Sequence, residues 1–194
     1  MLVLASASPR RQELLRNAGI PFVAQPTDIP EVPQPREAPR AFAERMAREK
    51  ALTVFGERSG DLILGADTIV VVDAEILGKP RDEADAARML RMLSGRRHEV
   101  ITGVCLVGPR SGSENQKTGF EDVRSETTIV TVDALSDDDI RSYISTNEPM
   151  DKAGAYAIQG RASRWIPRIE GDYFNVVGLP VALVYRMLRE RSVI

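Results

Sequence analysis

The segment ASASPRR, residues 5–11, places two hydroxyls, a proline and two guanidiniums directly after an apolar run that begins at Leu2. Where the carboxyl end of a strand meets the amino end of a helix, unpaired backbone N–H groups and the helix dipole favour an anion. Ser8 and Pro9 are accounted for as an N-cap followed by proline at the first helical position. Arg10 and Arg11 are not, because cations in a first turn oppose the dipole and cost about 0.3–1 kcal/mol unless something negative compensates. The segment therefore reads either as an anion site, with donors shaped for phosphate oxygens, or as a solvated helix start.

Four further places carry reactive or binding side chains. GADTIV puts Asp67 after a buried run and a glycine, at the expected end of a strand, where it could hold a metal or take a proton from water; Asp-Thr pairs also make ordinary turns. Lys79 lies between Gly78 and Pro80 in a restrained turn, as a phosphate contact or as a merely exposed lysine. DKAGAYAIQG combines Asp151, Lys152 and Gln159 with small residues that let a ligand approach the backbone. His98, the sole histidine, follows a helix-ending glycine and reads as structural, so neither a zinc cluster nor a histidine-dependent triad can be assembled. No Walker loop or dinucleotide glycine fingerprint is present. What remains is a set: serine and arginine donors, Lys50 and Lys79, the carboxylates of Glu31 and Asp67, and an amide. Such an inventory suits a polyphosphate with a divalent metal, whose chemistry calls for hard oxygen ligands.

These residues must be positioned by alternating elements. Leu2–Ala5 reads as a short strand, with a helix from Ser8–Pro9 closed by Asn17, Ala18 and Gly19. Phe22–Ala24 reads as a second strand, and PTDIPEVPQPREAP, with five prolines, as a long loop. Residues 41–55 carry Phe42, Ala43, Met46, Ala47, Lys50 and Val54 at helical spacing, placing Lys50 at the border of a buried face. LILGADTIVVVD supplies two apolar runs separated by a polar elbow at Gly65, Asp67 and Thr68. Residues 82–93 read as a helix with a capping box from Asp82 to Asp85, and Ser136 with Asp139 opens another in the same way. HEVITGVCLVG and residues 123–132 read as strands joined by a flexible hairpin connection, and the stretch to Val177 as short strand-like pieces before a final helix from Pro180 to about Arg191. Strands and helices alternate early and strands dominate late, which predicts an α/β fold on a mixed sheet.

Composition limits the partners. The 194 residues suit one domain with a core of its own, and a net charge of −2 from 26 basic and 28 acidic residues gives no field for a nucleic-acid polymer. The single cysteine, Cys105, reads as an inert core thiol in a reducing compartment. No apolar run approaches the roughly 20 residues of a membrane span and no secretion signal is evident, so a cytoplasmic protein that does not engage membranes is expected.

Motifs in order along nearly the whole chain resemble the Maf family of nucleoside-triphosphate pyrophosphatases, also described as septum-formation inhibitors: LASASPRRQELL, REKA, GADTIVVVDAEILGKPRD, LSGRRHEVITGV, EPMDKAGAYAIQG and NVVGLP. The resemblance implies a single Maf-like domain over residues 1–194, with an elongated mixed β-sheet flanked by helices, ITPase-like, and a central cleft between two lobes. It implies Asp67 as proton acceptor, Ser8, Arg10, Arg11, Lys50 and Lys79 around the triphosphate, and Glu31 with Asp67 on a magnesium or manganese ion. Arg10, Thr68 and Gln159 would shape base selection, and the glutamine is similar to the branch acting on dTTP and UTP. Ala157, where glycine is usual, and GRASRW after Gln159 depart from the pattern. Family analogy favours a homodimer. The rival expectation is a nucleotide-binding regulator of cell division whose hydrolysis is incidental.

Overall fold

The computed structural model describes residues 1–109 and 119–193. Among the described residues seven strands form one sheet: β1 (Leu2–Leu4), β2 (Val23–Ala24), β3 (Leu62–Val72), β4 (Glu75–Leu77), β5 (Arg97–Pro109), β6 (Gly119–Thr131) and β7 (Arg168–Glu170). Their order is β2-β1-β3-β5-β6-β7, with β4 paired to β3. β1 runs parallel to both β2 and β3, whereas β4 on β3 and β7 on β6 are antiparallel, so the sheet is mixed, as expected. The helices are α1 (Pro9–Asn17), α2 (Pro39–Glu57), α3 (Glu83–Leu93), α4 (Asp137–Ile144), α5 (Tyr173–Val177) and α6 (Val181–Glu190). Most of the expected hairpin connection after β5, residues 110–118, lies outside the described residues.

The chain divides into two compact units. The first comprises Met1–Asp67, Thr102–Glu126 and Gly178–Ile194, and the second Thr68–Ile101 and Thr127–Val177. In the first, Val3, Ala5, Ile63, Cys105 and Val107 pack against Ala47, Ala51, Val54 and Phe55 of α2. Side chains alternate along a strand, so Ile63, Gly65 and Asp67 share one face of β3, as do Gly103, Cys105 and Val107 on β5. That shared face lies beneath α2, and the glycines set how close the helix comes. A Cβ on Gly65 would lie 2.1 Å from the carbonyl oxygen of Ala47, and one on Gly103 would lie 2.2 Å from that of Ala43. Neither contact can be relieved by a rotamer change because both partners are backbone. Gly65→Ala is therefore expected to lower unfolding free energy by about 2–3 kcal/mol, an overpacking cost, read as a shifted denaturant midpoint with an unchanged slope.

The second unit has its own core, in which Val70, Val72 and Leu77 meet Ala86, Met89, Leu90 and Leu93 of α3 and Ile140, Tyr143 and Ile144 of α4. The capping box of α4 is complete, Ser136 Oγ accepting from Asp139 N and the Asp139 carboxylate accepting from Ser136 N. That of α3 is only half made. Asp82 caps Asp85 N, but the buried Asp85 carboxylate takes Arg81 N, Arg81 Nε and Arg88 Nε instead of returning to Asp82.

Two expectations are corrected. The polar elbow at Gly65, Asp67 and Thr68 is not a turn: β3 continues through all three because Gly65 serves helix approach rather than chain reversal. The late stretch is not strand-rich either. After α4 the chain makes 3₁₀ turns at Glu148–Asp151, Ala153–Ala155 and Arg161–Trp165 and the short helix α5, leaving β7 as its one strand among the described residues. Left-handed residues at Asn147, Gly154 and Ala155 interrupt extended pairing there.

Candidate functional site

Ser8 caps α1, its Oγ accepting from Arg11 N at 3.4 Å, and Pro9 opens the helix. Ser6 is buried, and its Oγ accepts from Ser8 N and from Arg11 Nη1, each at 3.2 Å. Arg11 Nε donates to the carbonyl of Gly178 at 2.8 Å. The guanidinium is thus tied to the protein at the start of α1. Burial, with the like charge of Arg10, pushes its pKa down, while Asp67 and Glu31 act in the opposite direction. The negative charge that the dipole argument demands is thereby supplied in part by the protein's own carboxylates.

Ala43, Ala47 and Lys50 recur at helical spacing on α2, so the surface that fits Gly103 and Gly65 also aims Lys50 at Asp67. Lys50 Nζ lies 2.6 Å from Asp67 Oδ1 and 2.5 Å from Glu31 Oε1. The Lys50 and Asp67 side chains are 9% and 8% exposed, whereas Glu31 is 48% exposed, so the acid on the strand is sequestered and the acid on the loop faces water. Burial pushes the Asp67 carboxyl above its ordinary range, and Lys50 and Arg11 pull it only part of the way back. Such a carboxylate is a better base than an exposed one.

The proline-rich loop that carries Glu31 is anchored by a residue the sequence reading did not single out. Arg45 on α2 forks onto Glu37, with Nε to Oε1 at 2.6 Å and Nη2 to Oε2 at 2.7 Å, and Nη2 also donates to the carbonyl of Val32 at 3.0 Å. That carbonyl belongs to the residue after Glu31. The Arg45 hydrogen bonds hold the Glu37 carboxyl down at about 2. Helical spacing could not reveal this pair, because its eight-residue separation spans the loop–helix junction.

The structure brings Ser8, Arg11, Glu31, Lys50 and Asp67 together in the first unit, with Arg10 next to Arg11 on α1. Thr68, Lys79 and Gln159 belong to the second unit. Thr68 is half-buried on β3, Lys79 is exposed after β4, and Gln159 is exposed in the turn before the Arg161–Trp165 3₁₀ segment. Gly154 N donates to the carbonyl of Gly78 at 3.0 Å, joining the stretch after α4 to the turn of Lys79. Lys152 pairs with Asp151 and donates to the Glu148 carbonyl. His98 is buried, its Nε2 2.8 Å from the Tyr156 hydroxyl, and burial pushes its pKa down to about 4, so it is a neutral structural residue, as expected. Cys105 is buried with its thiol pushed up to about 12, an inert core thiol.

Among the described residues no group of three or more His, Cys, Asp or Glu is placed to hold a metal ion, and no helix is long and apolar enough to cross a membrane. Two carboxylates sharing one lysine do not form a closed cage. Magnesium usually takes one or two protein carboxylates and completes its shell with water and phosphate oxygens, so Glu31 and Asp67 fit an ion that arrives with a polyphosphate.

A carboxylate whose pKa burial raises, a buried lysine and guanidiniums at a helix start form a set whose chemistry could serve hydrolysis of an anionic ester or anhydride. This chain is 58% identical over 193 residues to the dTTP/UTP pyrophosphatase of Koribacter versatilis, covering 100% of this chain and 95% of that protein. It is 51% identical over 189 residues to the dTTP/UTP pyrophosphatase of Symbiobacterium thermophilum, covering 97% and 93%. A solved nucleoside-triphosphatase (dITP/XTP pyrophosphatase) of Mycobacterium abscessus is similar at 18% identity and a TM-score of 0.42, over 69% of this chain and 75% of that one. The family model described as Maf-like protein matches residues 1–191. With a match of that extent, and relatives more than half identical along almost their whole length, the chain belongs to the Maf-like protein family.

Proposed function

We propose that this chain is a nucleoside-triphosphate pyrophosphatase that hydrolyses dTTP and UTP to the monophosphate and pyrophosphate. The observation that carries the reading is Lys50 Nζ held between Glu31 and Asp67, with the charge of Arg11 acting on both acids. The named activity of the relatives supports the choice of substrate.

A triphosphate repels an incoming oxygen, and Ser8, Arg10, Arg11, Lys50 and Lys79 neutralise and orient it. Glu31 and Asp67 would hold a magnesium or manganese ion, which when bound supplies positive charge on the phosphate oxygens and a more acidic water. Asp67 accepts the proton of the attacking water as its oxygen bonds to the α-phosphorus. The bond from that phosphorus to the bridging oxygen breaks, and the electron pair leaves with pyrophosphate. The Gln159 amide offers both a donor and an acceptor to uracil or thymine, with Arg10 and Thr68 completing base selection.

Incubation of the purified protein with magnesium and dTTP or UTP is expected to give monophosphate and pyrophosphate in equal amounts. Release of inorganic phosphate alone, or binding without turnover, would count against the reading. Gln159→Glu offers only acceptors when ionised. It is expected to lower kcat/KM for UTP relative to GTP by about tenfold, and equal loss across bases would remove Gln159 from base selection.

A further inference from the structure

The stretch that carries Gln159 is held at both ends by one hydrogen-bonded assembly. Tyr143, on the inner face of α4, is fully buried. Its hydroxyl donates to Glu148 Oε1 at 2.8 Å and accepts from Ala157 N at 3.1 Å. The Glu148 carboxylate also accepts from Arg161 N, at 3.0 Å to Oε1 and 3.3 Å to Oε2. Ala157 and Arg161 are each two residues from Gln159. Between them Gly160 N closes a turn onto the Ala157 carbonyl at 3.0 Å. The carboxylate lies so close to this turn that a Cβ on Gly160 would sit 2.1 Å from Glu148 Oε1. The Tyr143 ring meets Trp165 edge-on, with centroids 5.5 Å apart, which fixes the far end of the following 3₁₀ segment.

The backbone on both sides of Gln159 is therefore fixed while its side chain remains exposed. An ionised carboxylate suits this place because it is approached only by donors, one O–H and one N–H, and it has no donor of its own to satisfy. A buried tyrosine hydroxyl needing a partner would explain the Tyr143–Glu148 bond alone. It does not explain why the same two side chains also take the amides flanking the residue that faces solvent.

We propose that Glu148, acting with Tyr143, is a positioning residue for base selection, holding residues 157–161 so that the Gln159 amide meets the base in one orientation. This rests on the reading of Gln159 as a base-selecting residue. Orientation matters because a misplaced amide leaves polar groups of the bound base unpaired, which is how a hydrogen-bonding site discriminates.

The test compares Glu148→Ala, Tyr143→Phe, Glu148→Gln and Gln159→Glu, measuring kcat and KM for UTP and GTP and amide hydrogen exchange over residues 157–161. In the alanine and phenylalanine variants the UTP/GTP ratio of kcat/KM is expected to fall by about five- to tenfold, the loss lying in the KM for UTP, with faster exchange at Ala157 and Arg161. Glu148→Gln retains an acceptor oxygen and should restore most of the ratio. Tyr143→Phe keeps the ring packing and carries the test if Glu148→Ala does not fold. Faster exchange with an unchanged ratio, while Gln159→Glu does shift it, would overturn the positioning role and leave the reading of Gln159 intact. An unchanged ratio in Gln159→Glu would overturn that reading and this inference with it. Uniform loss for both nucleotides in the Glu148 and Tyr143 variants would also overturn the inference.

Discussion

Asp67→Asn is expected to lower kcat for dTTP and UTP by about a thousandfold or more, within the range that a positioned general base supplies, while the protein remains folded. The substitution is nearly isosteric and keeps an oxygen that can accept from Lys50 Nζ, which lies 2.6 Å from Oδ1. What it removes is charge and basicity. The wild-type pH profile is expected to report the same group. To accept a proton as proposed, Asp67 must be ionised, and burial raises its pKa, so kcat/KM is expected to fall on the acid side with a midpoint above the ordinary aspartate value of about 4. Stability runs the other way. A raised carboxyl pKa lends stability that is complete below the unfolded-state value and is lost as pH rises through the folded-state value. At neutral pH the ionised side chain is thus a cost to the fold, which the asparagine variant removes along with one of the two acids on Lys50, Glu31 staying 2.5 Å away, so the variant should remain folded and its stability difference from the wild type should close below about pH 4. Unchanged turnover in the variant, or an acid limb near that of a free carboxylate, would refute the role given to Asp67.

Lys50→Met is expected to produce the other large effect, a fall in kcat/KM of about a hundredfold or more together with an acid limb moved to higher pH. Lys50 is the largest opposing influence on the burial-driven rise of Asp67, and its removal leaves Asp67 harder to ionise. It also takes from Glu31 and Asp67 a cation that contacts both. Removing one member of a buried ion pair costs about 3 kcal/mol, at the lower end of the usual range here because Asp67 can take up a proton and Glu31 reaches water. Rate–pH profiles of the two proteins check this directly. A limb that stays in place would mean that Lys50 does not set the protonation of Asp67.

How much was legible beforehand follows the range of each interaction. The cap at Ser8, the reciprocal box from Ser136 to Asp139 and the helix over α2 were readable, because each depends on residues three or four apart along one segment. The box at Asp82 is only half made because Asp85, whose N is capped by Asp82, has its carboxylate claimed by Arg81 and Arg88. The hairpin between β3 and β4 turns on Asp73 and Ala74, both left-handed, without the Asn-Gly or Asp-Gly pair that signals such a turn. Asp67 was expected at a strand end, since a glycine before an Asp-Thr pair looks like a turn; Gly65 is instead the place where a helix backbone comes close.

By itself, then, the sequence determined the α/β class, the helix starts and the identity of the charged side chains, since these depend on composition and near-neighbour spacing. The tertiary structure alone decided that Lys50 would reach both Glu31 and Asp67, residues 19 and 17 positions away. It did so through missing atoms at Gly65 and Gly103 and through the Arg45 fork that anchors the loop. How closely two backbones approach depends on side chains belonging to different elements, and no spacing within one segment encodes that distance.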